Sequence, residues 1–253
     1  MIPAQRHKKI LEYLAYDEIM SYAALADKLN VSHMTIRRDI IELEKQGKVS
    51  SVSGGVHLPA HINDEPTYKE KIGFNILQKN IIADLAIKQI PPNAHVIYLD
   101  AGTTCLAIAN RLAPQNDLIF ITNDLKTADY LISHSPSHVI FAGGEISKDN
   151  RSAIGEITAK IIEQMNIDIA FVSTSSWDQK GLSTPDSRKI PVKKAIIASS
   201  EINILVSDAT KYGKKASFHI FPLTVFNKII SDADLPSIVA KEIRKNNIEV
   251  ILP

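Results

Sequence analysis

Ser32-His33-Met34-Thr35-Ile36-Arg37-Arg38-Asp39 is the stretch that decides the N-terminal fold, because it places two adjacent arginines on a short amphipathic helix. Its serine is a favourable N-cap, since the hydroxyl can accept a hydrogen bond from a first-turn amide. Ile36, Ile40 and Leu43 recur at helical spacing and form one apolar face, from which the second arginine points away. An arginine can bridge two acceptors on one guanine or bind a phosphate. Paired arginines alone are more typical of a merely solvated face, and the neighbouring sequence is what favours DNA contact.

The residues before this helix complete a helix-turn-helix. Ser21 can cap a helix over residues 22–29, and Asn30-Val31 forms a tight turn into the arginine-bearing helix. Pro3 stands where a first helical turn tolerates proline, and an apolar helical stripe follows it. Glu18–Ser21 is predicted to be a short strand. The predicted order is therefore helix, short strand, helix, tight turn and helix.

A small hairpin is predicted directly after the arginine-bearing helix. Valines flank Ser53-Gly54-Gly55, and a hairpin in this position is a wing whose glycines let backbone N–H groups approach a phosphate. A plain hairpin turn explains the glycines alone equally well. The residues predicted to contact DNA are Ser32, His33, Met34, Thr35, Arg37, Arg38, Lys45, Gly54 and Gly55.

Positive and negative charges nearly balance over the 253 residues, which excludes a polybasic protein that coats nucleic acid. Residues 1–57 hold eight Lys and Arg against seven Asp and Glu, so specific binding needs two copies, in a dimer or tetramer, that read two half-sites. No membrane span and no signal peptide is visible, which predicts a cytoplasmic protein with no membrane partner. We expect a DNA-binding domain over 1–58, a linker over 59–67 and a second domain over 68–253.

The second domain is predicted to be α/β with a mostly parallel sheet. Helical periodicity runs from Tyr68 to about Gln89, where Pro91-Pro92 stops it. Helical segments then alternate with strand-length apolar runs, which predicts helices on both faces of the sheet. The runs are His95–Leu99, Leu118–Thr122, Val139–Ala142, Ile167–Ser173, Ile202–Ser207, Lys228–Ser231 and Glu249–Leu252.

The carboxyl ends of these strands are unusually polar, and ligands of parallel sheets bind at that edge. Gly102 and the two threonines after it can offer N–H groups and hydroxyls to a phosphate at a helix N-terminus. Lys211 can supply a charge, while Asp100 and Asp208 can accept sugar hydroxyls. The residues predicted to bind this small effector are Asp100, Gly102, Thr103, Thr104, Thr122, Asn123, Gly143, Gly144, Arg151, Ser173, Ser175, Asp208 and Lys211.

Other kinds of site are not indicated by the sequence. It contains no Walker-type Gly-x-x-x-x-Gly-Lys and no full Gly-x-Gly-x-x-Gly, and its eight histidines show no metal-ligand spacing. Ser173–Ser176 lacks a glycine-flanked nucleophile elbow. We therefore expect no cofactor, no metal and no catalytic residue.

A series of motifs runs along nearly the whole chain: Met34–Asp39, Gly54-Gly55, Asp100–Thr104, Thr122-Asn123, Gly143-Gly144, Gly181–Pro185 and Asp208–Gly213. In this order and spacing the motifs resemble the DeoR family of bacterial transcription regulators. The resemblance implies a winged helix-turn-helix followed by a sensor domain that is similar in fold to ribose-5-phosphate isomerase and binds a sugar phosphate or a related metabolite. It also implies repression of a sugar-catabolism operon.

Two departures from the family pattern affect these expectations. Ser51-Val52-Ser53 stands where many relatives have Arg-Val-His, which puts a basic wing contact in question. Ser173–Ser176 replaces Gly-Ala-Asp-Gly, and Lys189 replaces a glutamate. Hydroxyls and an additional cation favour a more anionic ligand, for which a sugar acid or its phosphate is the hypothesis.

Three functions are compatible with these observations. The preferred one is a ligand-responsive repressor of a carbohydrate or sugar-acid catabolic operon, and not an enzyme. A sugar-phosphate isomerase with a DNA-binding appendage could use Asp100, Asp208 and Lys211 for acid–base chemistry, although the loop expected to carry its base has become serines. A protein-interaction module would make Arg37 and Arg38 dispensable for DNA binding.

Overall fold

The structure, a computed structural model, describes residues 1–17 and 19–253. Its N-terminal part is a winged helix-turn-helix, as predicted. Ser21 and Ser32 cap the second and third helices by accepting the amides of Ala24 and Thr35 at 3.0 and 3.2 Å. The elements are α1 (Pro3–Tyr16), α2 (Tyr22–Leu29), α3 (His33–Lys45), β1 (Ser50–Val52) and β2 (Gly55–His57).

An ion pair and a shared apolar core join the elements of the winged helix-turn-helix. Arg6 on α1 donates to both carboxylate oxygens of Asp39 on α3 at 2.5 and 2.8 Å, and both residues are buried. The wing contributes Val56 to the core of the three helices. Of the predicted strand Glu18–Ser21, Met20 forms an isolated antiparallel bridge with Val56, whereas Glu18 lies outside the described residues.

The remainder of the chain is α/β, and none of the described helices is both long and apolar enough to cross a membrane. Three single-turn 3-10 helices lie at Ile87–Gln89, Ala209–Lys211 and Leu223–Val225. The other elements are β3 (Ala60–Ile62), α4 (Tyr68–Gly73), α5 (Ile76–Ala86), β4 (Val96–Leu99), α6 (Thr103–Leu112), β5 (Ile119–Thr122), α7 (Leu125–His134), β6 (His138–Phe141), β7 (Glu145–Ser147), β8 (Ser152–Ile154), α8 (Gly155–Ile162), β9 (Ile167–Val172), β10 (Ser176–Asp178), β11 (Gly181–Thr184), α9 (Lys189–Ser199), β12 (Ser200–Val206), β13 (Lys214–Ala216), β14 (Phe218–Phe221), β15 (Lys228–Ile230), α10 (Ser237–Arg244) and β16 (Glu249–Ile251).

The seven predicted strands form one parallel sheet in the order β16-β15-β12-β9-β4-β5-β6. Apolar side chains of α8, α9 and α10 cover one face, and those of α5, α6 and α7 cover the other. Strands buried on both faces have nearly continuous apolar runs, which is why the sequence pattern located them. Since all seven run the same way, the carboxyl ends of β12, β9, β4 and β5 meet at one edge.

The single helix predicted from Tyr68 to Gln89 is wrong, because the chain breaks into α4 and α5 with a 3-10 turn after them. Asn75 takes the left-handed conformation at the break, with φ 52° and ψ 40°. Its side-chain amide donates to Asp208 Oδ1 at 3.1 Å and to Thr210 Oγ1 at 3.2 Å. These contacts come from a loop more than 130 positions away, so no local periodicity could reveal the break.

Short strands that the sequence pattern missed connect and border the two parts of the chain. Within the segment 59–67, which was predicted to be a linker, β3 pairs in parallel with β13. The hairpin β7–β8 and the antiparallel sheet β10-β11-β14 lie in segments without a predicted strand. Strands of three or four residues are too short to show a reliable period. The domain limits at residues 58 and 67 remain a prediction.

The Arg6–Asp39 pair supplies a test of how the helix-turn-helix is held together. Asp39→Ala leaves a buried guanidinium without its counter-charge, so we expect the free energy of unfolding of the winged helix to fall by about 3–5 kcal/mol. Arg6→Met in the same chain removes that unpaired charge, so the double variant should lose less than the sum of the single losses. Urea unfolding followed by far-UV circular dichroism measures the free energy of unfolding of Asp39→Ala, of Arg6→Met and of the double variant.

Glu42→Ala is the matched control, since Glu42 is exposed on the same helix. Its expected change in unfolding free energy is within about 0.5 kcal/mol. Strictly additive losses for the two changes at the pair would contradict the coupling of Arg6 to Asp39.

Candidate effector cleft and DNA-binding face

The polar strand ends border a cleft at the carboxyl edge of the sheet. The cleft has a volume of about 570 Å³, and a recess of about 40 Å³ shares its lining at Ser173–Ser175. Seven residues of the predicted effector set line the cleft: Gly102, Thr103, Thr104, Ser173, Ser175, Asp208 and Lys211. Asp100 and Asn123 line the recess.

Four residues of the predicted effector set, Thr122, Gly143, Gly144 and Arg151, line neither space. Thr122 is fully buried, and its Oγ1 accepts the amide of Asp124 at 3.0 Å. The two glycines follow β6, which lies two strands beyond β4, roughly 10 Å from it at the usual strand spacing. Arg151 is exposed in the turn between β7 and β8. The polar end of β6 therefore belongs to the rim of the sheet and not to the cleft.

Asp100 and Asn123 hold the fold at the recess and are not free to bind a sugar hydroxyl. Asp100 is 1% exposed and accepts the amides of Ala101 and Ser173 at 2.8 and 2.9 Å, together with the ammonium of Lys193. Asn123 accepts the Tyr98 hydroxyl at 3.0 Å and donates to a backbone carbonyl at 2.9 Å. The sequence analysis missed Lys193, because a lysine in the middle of an apolar helix carries no local sign of its partner.

Asp208 and Lys211 line the other end of the cleft, where they form an ion pair. Lys211 Nζ lies 3.6 Å from Asp208 Oδ2, and Thr210 donates its hydroxyl to the same carboxylate. Burial raises the pKa of Asp208, but the charge of Lys211 and these hydrogen bonds outweigh it and hold the pKa below its ordinary value. Lys79 of α5 also lines the cleft, and burial followed by the charge of Lys211 lowers its pKa to about 8. Asp208 is therefore ionised at neutral pH.

The N-terminus of α6 opens into the same cleft. Its first-turn amides have no acceptor within the helix, so they can bind an anion. Gly102 is the N-cap residue of this helix; its φ of 151° is unfavourable for other residues, and a Cβ there would lie 2.8 Å from Ser173 Oγ. Thr104 is 1% exposed, and its Oγ1 has no hydrogen-bond partner in the part of the chain that the structure describes. Thr127, in the first turn of α7, also lacks a hydroxyl partner among the described residues, so what relates Thr104 to a ligand is its position in the cleft lining.

Glu65, between β3 and α4, forms an ion-pair bridge that the sequence did not indicate. One of its carboxylate oxygens lies 2.7 Å from Lys71 Nζ, and the other pairs with Lys189 Nζ. Burial would raise the pKa of Glu65, but the two lysines outweigh it and lower the pKa to about 2. Lys189, named above as a departure from the family pattern, is thus already paired. Within residues 1–17 and 19–253, no three His, Cys, Asp or Glu side chains are grouped as ligands for a metal.

The predicted DNA contacts of α3 lie mostly together at its N-terminal half. Ser32, His33, Met34 and Arg38 are exposed, whereas Thr35 and Arg37 are half-buried. Arg37 borders a groove of about 530 Å³ between α3 and the wing, with Gly54 at the exposed tip of the turn. The two arginines are thus accessible beside the wing.

Lys45 lies away from this groove, whereas Gly55 lines it from within the wing. Lys45 Nζ lies 3.9 Å from Glu242 Oε2 on α10, so it faces the second domain. Gly55 is buried in β2, where its ideal Cβ would lie 2.5 Å from the carbonyl oxygen of Met20. Periodicity placed Lys45 on the open side of α3, where it is exposed, but it could not show that Glu242 of α10 lies nearby.

Glu44, the neighbour of Lys45, joins α3 and the wing to the loop after β12. The Glu44 carboxylate is 2% exposed and accepts the Ser51 amide at 2.7 Å and the Tyr212 hydroxyl at 2.9 Å. Burial raises its pKa despite these hydrogen bonds. Ser50 of the wing donates to the Gly213 carbonyl at 3.2 Å. A Cβ at Gly213, where φ is +77°, would lie 2.4 Å from that serine, so the contact requires glycine.

Comparison with known proteins identifies both parts of the chain. Residues 6–61 match the DeoR-like helix-turn-helix domain, and residues 74–233 match the DeoR C terminal sensor domain. Over about half of each chain, the structure also resembles ribose 5-phosphate isomerase from Plasmodium falciparum, with 19% sequence identity and a TM-score of 0.37.

The curated relatives extend over nearly the full length of both sequences. An uncharacterized HTH-type transcriptional regulator of Haemophilus influenzae is 48% identical over 100% of this chain and 98% of its own. The uncharacterized HTH-type transcriptional regulator YgbI of Escherichia coli K12 is 44% identical with the same coverage. The glycerol-3-phosphate regulon repressor of the same strain is 31% identical over 100% of both chains. Because its domains and full-length relatives are those of regulators and not of enzymes, the chain belongs to the DeoR family of transcriptional regulators.

Proposed function

We propose that this regulator represses a carbohydrate or sugar-acid catabolic operon, and that a phosphorylated sugar or sugar acid bound in the cleft controls its binding to operator DNA. A relative named as a glycerol-3-phosphate regulon repressor supports both repression and a phosphorylated effector. The observation that carries the proposal is the loop 208–213, which lines the cleft at one end and contacts α3 and the wing at the other. The regulator acts on DNA in the cytoplasm.

The effector's phosphate binds at the α6 N-terminus in this proposal. The first-turn amides of α6 and the Thr104 hydroxyl supply donors, and Lys211 supplies a nearby positive charge. Ser175, half-buried in the lining, offers a further hydroxyl. Asp208 is 1% exposed and already accepts from Asn75 and Thr210, so it holds Lys211 in the lining and is not the acceptor of a sugar hydroxyl.

On the DNA side, Arg37 and Arg38 are the proposed base and phosphate contacts. Ser32, His33, Met34 and Thr35 surround them on α3, and Gly54 carries the wing tip to the backbone. A nearly neutral domain has little attraction for DNA in general, so its affinity has to come from placed contacts. Two recognition helices in a dimer or tetramer, each reading a half-site, double those contacts.

Coupling between the two sites follows from the loop 208–213. An effector that contacts Lys211 acts on the residue before Tyr212, whose hydroxyl binds Glu44 of α3. The next residue, Gly213, accepts a hydrogen bond from the wing. If the effector binds one conformation of this loop more tightly than another, it changes the fraction of chains in which the winged helix is docked on the second domain. The effector then changes the affinity for DNA by the same factor by which DNA changes the affinity for the effector.

Arginine variants test the DNA-binding face. Arg37→Ala and Arg38→Ala should each weaken operator binding by about 1–3 kcal/mol, which is roughly 5- to 150-fold, because each removes a charge-assisted contact. Gel shifts at constant salt measure this on an operator that the wild-type chain selects from random duplex DNA. Lys45→Ala is the matched control on the same helix and should change affinity less than about threefold, since it faces α10. Unchanged affinity in both arginine variants would refute the assignment.

A pair of threonine variants tests the phosphate site. Thr104→Val removes a hydroxyl that has no protein partner, so unfolding free energy should change by less than about 1 kcal/mol. Loss of a hydrogen bond to a charged ligand should weaken glycerol 3-phosphate binding about tenfold in calorimetric titration. Thr127→Val is the matched control, because the Thr127 hydroxyl also lacks a partner among the described residues but does not line the cleft. Equal effects of the two variants on affinity would contradict the site, as would a cleft that binds only neutral sugars.

A further inference from the structure

Glu65 occupies a position in the cleft that a ligand's carboxylate could also occupy. It lies on the short segment between β3 and α4, and its side chain is 12% exposed. Its two oxygens bridge Lys71 and Lys189, whose side chains are 18% and 15% exposed. The chain therefore inserts one of its own carboxylates between two half-buried ammonium groups that line the cleft and its recess.

The charges around the cleft show what happens when this carboxylate leaves. Six lysines and four acidic residues line the cleft and its recess. Lys193 pairs with Asp100 and Lys211 pairs with Asp208, so these lysines keep their partners. Without Glu65, Lys71 and Lys189 would face each other with no acid between them. An excess of three positive charges would then line the site, which favours a strongly anionic ligand.

We propose that Lys71 and Lys189 form a carboxylate subsite of the effector cleft, that Glu65 fills it in the absence of ligand, and that the effector is a phosphorylated sugar acid whose carboxylate displaces Glu65. The proposal rests on the effector cleft described above and specifies its ligand. A phosphate ester and a carboxylate together carry about three negative charges at neutral pH, which matches the excess. The phosphate lies at the α6 N-terminus, and the carboxylate lies at the two lysines.

A ligand carboxylate that replaces the Glu65 carboxylate makes the same kind of contact with Lys71 and Lys189. A carboxylate of the ligand can accept from both ammonium groups as Glu65 does, so neither lysine is left buried without a partner. A neutral sugar phosphate has no group that can take this place. Displacement would also free the segment after β3. β3 pairs with β13, and β13 directly follows the loop 208–213 that contacts Glu44. Displacement of Glu65 would thus contribute both to the specificity for an acid and to the response of the winged helix.

Calorimetric titration with two matched pairs of compounds tests the subsite. One pair is 3-phosphoglycerate and glycerol 3-phosphate, and the other is 6-phosphogluconate and sorbitol 6-phosphate. Within each pair the first compound has a carboxylate where the second has a hydroxymethyl group. We expect the full-length chain to bind at least one carboxylate about tenfold or more tighter than its partner compound, since two charged hydrogen bonds are gained.

Variants assign that preference to the lysines and to Glu65. Lys189→Gln should abolish the preference and leave the affinity for the carboxylate-free partner within about threefold, because only the carboxylate contact is lost. Glu65→Gln should raise the affinity for the carboxylate severalfold, because the ligand no longer competes with a charged side chain. Lys194→Gln, exposed on the same helix as Lys189, is the matched control and should change neither value.

Four results would overturn the subsite. Equal binding of both members of each pair, with the Thr104 hydroxyl still required, would refute it and leave the phosphate site intact. A carboxylate preference that survives Lys189→Gln would place the carboxylate elsewhere. Loss of thermal stability in Glu65→Gln without any gain in carboxylate affinity would make Glu65 a fixed structural tie. Absence of binding by all four compounds at millimolar concentration would overturn the anion-binding cleft as well.

Discussion

The buried carboxylate of Glu44 is the contact on which the arrangement of the two domains depends. A carboxylate taken out of water has to be hydrogen-bonded, and Glu44 takes its donors from the wing and from Tyr212 in the second domain. If the domains separated, one donor would be lost but the carboxylate would regain water. Burial raises the pKa of Glu44 despite its hydrogen bonds. The docked state is the one in which Glu44 has donors from both domains.

The same reasoning separates structural from functional polar groups at the sheet edge. Asp100, Asn123 and Thr122 are buried and fully occupied by protein partners, so they hold strand ends and helices in place. Thr104 is buried and unoccupied, and Lys211 lies in the open lining. Polar residue types after parallel strands identify the edge at which ligands bind. Only their hydrogen bonds distinguish the groups that a ligand can use.

Local patterns in the sequence were sufficient for the elements whose signals are local. Caps at Ser21 and Ser32 and the seven apolar runs of the sheet were predicted because capping and burial on both faces each leave a signature within a few residues. The break at Asn75 depends on Asp208, and the Glu65 bridge depends on Lys189. Because both partners are far away in the chain, no local sequence pattern indicated either feature. Periodicity likewise could not show that Lys45, exposed on α3, lies near Glu242 of α10.

In the proposed mechanism, the cleft and the recognition helix are coupled through the Tyr212–Glu44 contact. The ratio of operator dissociation constants with and without the tightest-binding phosphorylated sugar acid tests this coupling in the wild-type chain and in Tyr212→Phe. We expect this ratio to move towards one in the variant, because the aromatic ring keeps its packing against Trp177 while the hydrogen bond to Glu44 is lost. A ratio unchanged from the wild-type value would refute coupling through this contact.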